Sequence, residues 1–178
     1  MASVADAEDT LRSAKEKANF QRLTRLLMCG SIKLLREKFD SCHSPADLPL
    51  KLADPAIRAK LGKAKLSPPE WKILYPSPGI YGKSADFDIT LTFRLLRTIC
   101  GLTAPSTGWN SQPANTDHSI EADLVRIKCF RNSVYGHNSK MEMTDSDFLK
   151  LWTEIGEALL RIAGSLSTAK KDEWNKRI

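Results

Sequence analysis

The sequence predicts an all-α bundle of four main helices, with shorter helices in a Pro- and Gly-rich connection. Three observations lead there. Apolar residues recur at steps of three and four over long stretches, no segment shows period-two alternation, and capping residues stand where the periodic stretches begin. The chain of 178 residues, 42% hydrophobic and 27% charged, suits one globular core rather than two, and it is too apolar for a disordered protein.

The first long helix is expected over residues 11–39, where Leu23, Leu26, Leu27, Leu34 and Leu35 form an apolar stripe and Lys and Arg occupy the other faces. The stretch from Asp40 to Pro45 breaks it, because proline lacks a donor and restricts its predecessor. A Pro- and Gly-rich connection then runs to Gly82. Within it, residues 55–61 favour a short helix, and Ser67-Pro68-Pro69-Glu70 has capping-box spacing with proline at the first helical position, which turns Trp71, Ile73, Leu74 and Tyr75 toward the core.

Ser84 or Asp86 caps the second main helix, with Ile89, Phe93, Leu96 and Cys100 on one face and Gly101 as a left-handed C-cap. Residues 103–117 read as a loop around Trp109, and a loop of that length in a compact domain is often functional. Asp117 or Ser119 caps the third helix, which Gly136 ends, and Thr144 or Ser146 caps the fourth, whose stripe is Phe148, Trp152, Ile155, Leu159, Ile162 and Leu166. The helical domain is thus expected over 8–166, followed by a polar, basic extension or linker over 167–178 with a solitary Trp174.

Charge is unevenly spread. Residues 12–38 hold eight basic and two acidic side chains, which equals the whole net charge of +6, and Arg126, Lys128, Arg131 and Lys140 form a second cluster with no acid between its ends. Such clusters attract phosphate-bearing partners. Neither a DNA-recognition helix nor aromatic interleaving accompanies the basic first helix, so DNA ranks lower, and its apolar side is needed for the core, so a membrane surface ranks lower still. No apolar run approaches a bilayer span and the N-terminus lacks a signal-peptide layout, so the expected address is cytoplasmic. Cys29, Cys42, Cys100 and Cys129 are widely spaced without a C-x-x-C pair, which indicates buried free thiols rather than a zinc site or a disulfide framework; no metal or cofactor is expected.

One position interrupts the third helix. Its stripe runs Ile120, Leu124, Ile127, residue 131, Val134, and residue 131 is arginine. A guanidinium there must be paired, must reach a ligand or partner chain, or must extend to water, since burying it alone costs several kcal/mol. His137 lies about 120° further round a regular helix and about 9 Å along it. With the helix ended at Gly136, the chain can turn back so that the imidazole approaches the guanidinium within one chain or across a dimer axis, and the Asn132 amide can orient either group.

Arg131-Asn132 followed after four residues by His137, late in a four-helix all-α chain, resembles the signature of the HEPN superfamily (higher eukaryotes and prokaryotes nucleotide-binding domains). Further segments are similar to the animal subfamily found in the DAZ-interacting zinc-finger ubiquitin ligase: Phe87-Asp88-Ile89-Thr90, Leu95-Leu96-Arg97-Thr98-Ile99-Cys100-Gly101-Leu102, the loop from Pro105 to Trp109, Arg126-Ile127-Lys128, Arg131 to His137, and Trp152. The resemblance implies a HEPN-like bundle that forms a homodimer with two copies of the motif facing across a basic cleft. It implies a metal-independent endoribonuclease acting on single-stranded RNA, with Arg131, Asn132 and His137 catalytic and Lys128, Arg126 and Tyr135 contacting RNA. His137 would move the proton as the ribose 2′-hydroxyl attacks phosphorus, Arg131 would stabilise the added charge, and Asn132 would position one of them, leaving a 2′,3′-cyclic phosphate. Other members are inert, and the alternative implied is a dimerisation or interaction module of a larger signalling or immune-type protein.

Overall fold

Residues 4–42 form one continuous helical segment in the computed structural model, which describes residues 4–136 and 141–178. It consists of α1 (Val4–Arg25), a widened π turn (Leu26–Gly30) and α2 (Ser31–Cys42). Short helices α3 (Leu48–Ala53), α4 (Pro55–Lys63) and α5 (Pro68–Leu74) fill the connection, and α6 (Ile89–Ile99), α7 (Ile120–Gly136), α8 (Asp145–Gly164) and α9 (Thr168–Asn175) follow. There is no strand among the described residues, and none of the helices is long and apolar enough to cross a membrane. The all-α, HEPN-like bundle expected from periodicity and resemblance is the architecture observed.

The π turn sets how the first segment packs. In a regular helix Leu27 and Leu34, seven residues apart, would lie almost above one another. The extra residue in the turn rotates the line, so α1 lies against α8 while α2 lies mainly against α6 and also touches α8. Leu23, Leu27, Leu34 and Leu35 are all buried in consequence, in contact with the α6 and α8 stripes that contribute Leu91, Leu95, Leu96, Ile155, Leu159 and Ile162. At the far edge Asn19 donates from Nδ2 to Asp145 Oδ1 at 2.8 Å, and Lys15 Nζ meets Asp145 Oδ2 at 2.5 Å, which ties α1 to the first turn of α8.

Local chemistry explains most boundaries. Asp54 caps α4 by accepting from Ala56 N at 2.8 Å, and Glu70 reaches back to Ser67 N at 2.8 Å at the start of α5. The cap of α6 is Asp88, which accepts from Leu91 N at 2.7 Å, rather than Ser84 or Asp86; those two residues belong to a preceding 3₁₀ turn (Ser84–Asp86). Arg36 of α2 holds that junction by donating to the Phe87 carbonyl. Gly101 closes α6 with φ at +72°, a conformation that glycine adopts without a Cβ penalty. Ser119, with its hydroxyl 3.2 Å from Ala122 N, caps α7, and Thr144 caps α8.

Two further expectations are corrected. The thiols are not buried: Cys29 and Cys42 are exposed and Cys100 and Cys129 half-buried, because Cys29 sits on the outer side of the π turn and Cys42 on the last turn of α2. His43 beside Cys42 faces inward instead, its Nε2 3.0 Å from the Ile99 carbonyl. Residues 167–178 form no loose extension. The segment folds back as α9 against α8 and buries Trp174 to 2% exposure, with the indole resting on Gly30 of the π turn.

Candidate functional site

Helix α7 carries the residues singled out by the sequence, and its burial sorts them. Asp123 is wholly buried and receives Arg126 Nη1 at 2.7 Å together with Arg161 Nε at 2.8 Å and Nη2 at 2.9 Å from α8. A carboxylate can be buried only when so paired. Arg126, itself 5% exposed, also donates to the Ala114 carbonyl and thereby fastens the 103–117 loop to the helix. The expected contact between Arg126 and RNA is therefore corrected: its guanidinium is spent inside the fold.

Arg131 is half-buried and has neutral partners among the described residues. Its Nη1 donates to Thr90 Oγ1 on α6 at 2.8 Å, and its Nε and Nη2 lie 3.3 and 3.1 Å from Asn132 Oδ1. Of the choices left open by the sequence, pairing with an acid is not the one taken among the described residues. Asn132 is exposed beside it and orients the guanidinium, while Tyr135 belongs to the last turn of α7. His137 lies outside the described residues.

Beside Arg131, between α6 and α7, lies a cavity of about 180 Å³ lined by Thr90, Phe93, Arg94, Arg97, Asn110, Lys128 and apolar side chains. Lys128 donates to the Trp109 carbonyl at 3.0 Å and to Asn110 Oδ1 at 2.9 Å, so the loop forms one wall. Trp109 meets Phe93 edge-on, with ring centroids 5.9 Å apart. Burial, and then the nearby Arg97 and Arg131, pull the Lys128 pKa below its usual value; burial and then Arg94 do the same to Arg97. The site is thus a concave, positively charged pocket with an apolar floor.

Reading the sequence did not bring Thr90, Arg94, Arg97 or Asn110 to this place. A signal existed for two of them, since Arg94 and Arg97 stand three residues apart and so share a helix face.

The family model described as DZIP3/hRUL138-like HEPN matches residues 45–177, which takes in α3 through α9 and every polar and charged side chain lining this cavity. The chain belongs to this HEPN family. It is similar to the human E3 ubiquitin-protein ligase DZIP3, at 25% identity over 148 residues that make up 80% of this chain and 12% of that protein. The mouse E3 ubiquitin-protein ligase DZIP3 is 24% identical over 163 residues, 88% of this chain and 13% of the relative. The chain therefore spans about an eighth of the length of these relatives, so the HEPN domain corresponds to one part of much larger proteins. No solved structure matches.

Proposed function

We propose that this HEPN domain is a metal-independent endoribonuclease that cuts single-stranded RNA at a site completed by a second copy of the chain. The observation that carries the reading is Arg131: a half-buried guanidinium held in place by a hydroxyl and an amide, with its charge left for an anion. In the proposed reaction the ribose 2′-hydroxyl attacks the adjacent phosphorus, His137 accepts its proton, and the bond to the 5′-oxygen breaks, that oxygen taking a proton from solvent to leave as a 5′-hydroxyl while the other fragment keeps a 2′,3′-cyclic phosphate. Arg131 stabilises the charge that builds on the phosphoryl oxygens, in a partly dry setting where such stabilisation is strongest. Asn132 positions Arg131, and Lys128 and Tyr135 contact the RNA. A cytoplasmic location goes with this reading.

The second reading is an inert dimerisation or interaction module of a larger signalling or immune-type protein. It is favoured by one observation, the restriction of the match to about an eighth of relatives that are named as ubiquitin ligases.

Cleavage of a mixed-sequence single-stranded RNA in EDTA separates them. Under the nuclease reading the unmodified chain yields cyclic-phosphate ends, and both His137→Ala and Arg131→Ala lose them. Activity that survives both substitutions marks a contaminant. No cleavage by a dimeric, folded chain favours the interaction module, and a monomer by light scattering at tens of micromolar counts against either two-chain reading.

A further inference from the structure

Cysteines far apart in the sequence meet at one end of the bundle. Cys42, on the last turn of α2, shares a hydrogen bond with Cys100, the C-cap of α6, and both are free thiols. The residues beside them fix the contact. His43 Nε2 donates to the Ile99 carbonyl at 3.0 Å, so the end of α2 lies directly against the end of α6. Phe39, wholly buried one turn earlier, sets its ring 5.5 Å from that of His43 and keeps this end of α2 in place. Among the described residues no other two cysteines show such a contact; Cys129 has the Lys128 ammonium beside it instead.

The two sulfurs differ in access. Cys42 is exposed, whereas Cys100 is half-buried, and burial followed by the presence of Cys42 raises its pKa. An oxidant arriving from solvent therefore meets Cys42 first, with a second sulfur already in contact behind it. That division of labour, one accessible thiol and one resolving thiol, is what a reversible oxidation site requires.

We infer that Cys42 and Cys100 form an oxidation site for hydrogen peroxide, closing to a disulfide that fastens the end of α2 to the end of α6. The Cys42 thiolate attacks one peroxide oxygen, the O–O bond breaks, and the departing hydroxide takes up a proton to leave as water, with Cys42 oxidised to a sulfenic acid. The Cys100 sulfur then attacks the Cys42 sulfur, the S–O bond breaks, and hydroxide leaves as water with the Cys100 proton. In sum two thiols are oxidised and one peroxide is reduced to two waters. Sulfurs already in contact reach the bond length of about 2.05 Å by small side-chain rotations. The bond encloses α3, α4, α5 and α6, and it anchors Cys100 just ahead of Gly101 and the 103–117 loop.

The test uses the whole chain, folded and reduced, in EDTA with a small molar excess of hydrogen peroxide, and remaining thiols are blocked with N-ethylmaleimide before denaturation. Mass spectrometry of the non-reduced digest should show a peptide joining Cys42 to Cys100, lighter by two hydrogens than its parts and separated by dithiothreitol. Oxidation should raise Tm by about 4–16 °C, as a disulfide closing a long loop does in a chain of this size, and reduction should return it. Cys42→Ser, a change at an exposed position, should abolish the cross-link and the shift in Tm and leave Cys100 reduced. Cys100→Ser should leave Cys42 as a sulfenic acid that dimedone traps. Absence of the Cys42–Cys100 peptide, whichever product stands in its place, or a bond that forms without raising Tm overturns the inference. Neither readout involves RNA, Arg131 or His137, so the outcome is independent of the proposed nuclease.

Discussion

Asp123→Ala is expected to be among the most damaging single substitutions in the molecule. The carboxylate is fully buried and neutralises two guanidiniums, so its loss strands Arg126 and leaves Arg161 with Glu157, 3.7 Å away, as its remaining carboxylate among the described residues. Arg161 is 28% exposed and can turn toward water, whereas the side chain of Arg126 is 6% exposed and cannot. Breaking a buried pair by removing one partner costs about 3–5 kcal/mol, and most of that falls on Arg126. For a chain of this size each kcal/mol lowers Tm by about 2–4 °C, so a drop of roughly 6–20 °C follows. Urea denaturation monitored by circular dichroism measures it, and hydrogen exchange adds a local signature: amides of the 103–117 loop, tethered through Arg126 to the Ala114 carbonyl, should lose protection first. Asp123→Leu combined with Arg126→Met should recover most of the loss, because a buried ion pair exchanged for apolar groups of similar volume is often neutral. A cost under about 1 kcal/mol for Asp123→Ala would refute the reasoning, since it would mean that Arg126 reaches water or another acceptor at little expense.

Three further outcomes are expected. Gly82→Ala should destabilise by about 1–3 kcal/mol in the same urea assay, because a Cβ there would stand 2.3 Å from the Ile73 carbonyl oxygen. Asp145→Asn should flatten the acid limb of stability against pH. Hydrogen bonds from Lys15 and Asn19 lower the folded pKa of Asp145, so its contribution is complete above the unfolded value near 3.9 and is lost as pH falls through the lower folded one; the difference between the two proteins must vanish at the acid end. In timed alkylation at pH 8 followed by mass spectrometry, Cys29 should react before Cys100 and Cys129, because burial raises the pKa of both latter thiols, with the neighbouring Cys42 adding to the effect at Cys100. Labelling of Cys100 at the rate of Cys29 would contradict the packing between α2 and α6.

Where the sequence was legible, a local rule was enough. The α8 stripe and its Thr144 cap, the Glu70 capping box and the Gly101 C-cap each depend on residues within one or two turns of each other. The π turn was not legible, because Leu26, Leu27 and Met28 favour a regular helix, Gly30 only weakens one, and the extra residue is selected by packing against the partner helices. Asp88 does not stand out as the cap in the sequence because Ser84 and Asp86 offer the same chemistry a few residues earlier, and only the 3₁₀ turn decides between them. At the candidate site Arg131 announced itself as a charge in an apolar stripe. Its partner Thr90 lies 41 residues away and had no such mark. Arg126 and Lys128 look equivalent in sequence. They part company in the fold, where a buried carboxylate claims the first and the cavity keeps the second.

The widened turn at Leu26–Gly30 makes one rod out of two differently phased ones. Deleting a single residue there would restore an unbroken spiral and swing α1 by about 100° about its axis relative to α2. Phe20 and Leu23 would leave the α8 interface together, and the shallow seat at Gly30, within 3.4 Å of the Trp174 ring from where a Cβ would stand, would turn away from α9. The turn therefore acts as the timing mark of the bundle: one residue of slack keeps the chain's first helix and its last in step with a core that neither of them could engage from a straight rod.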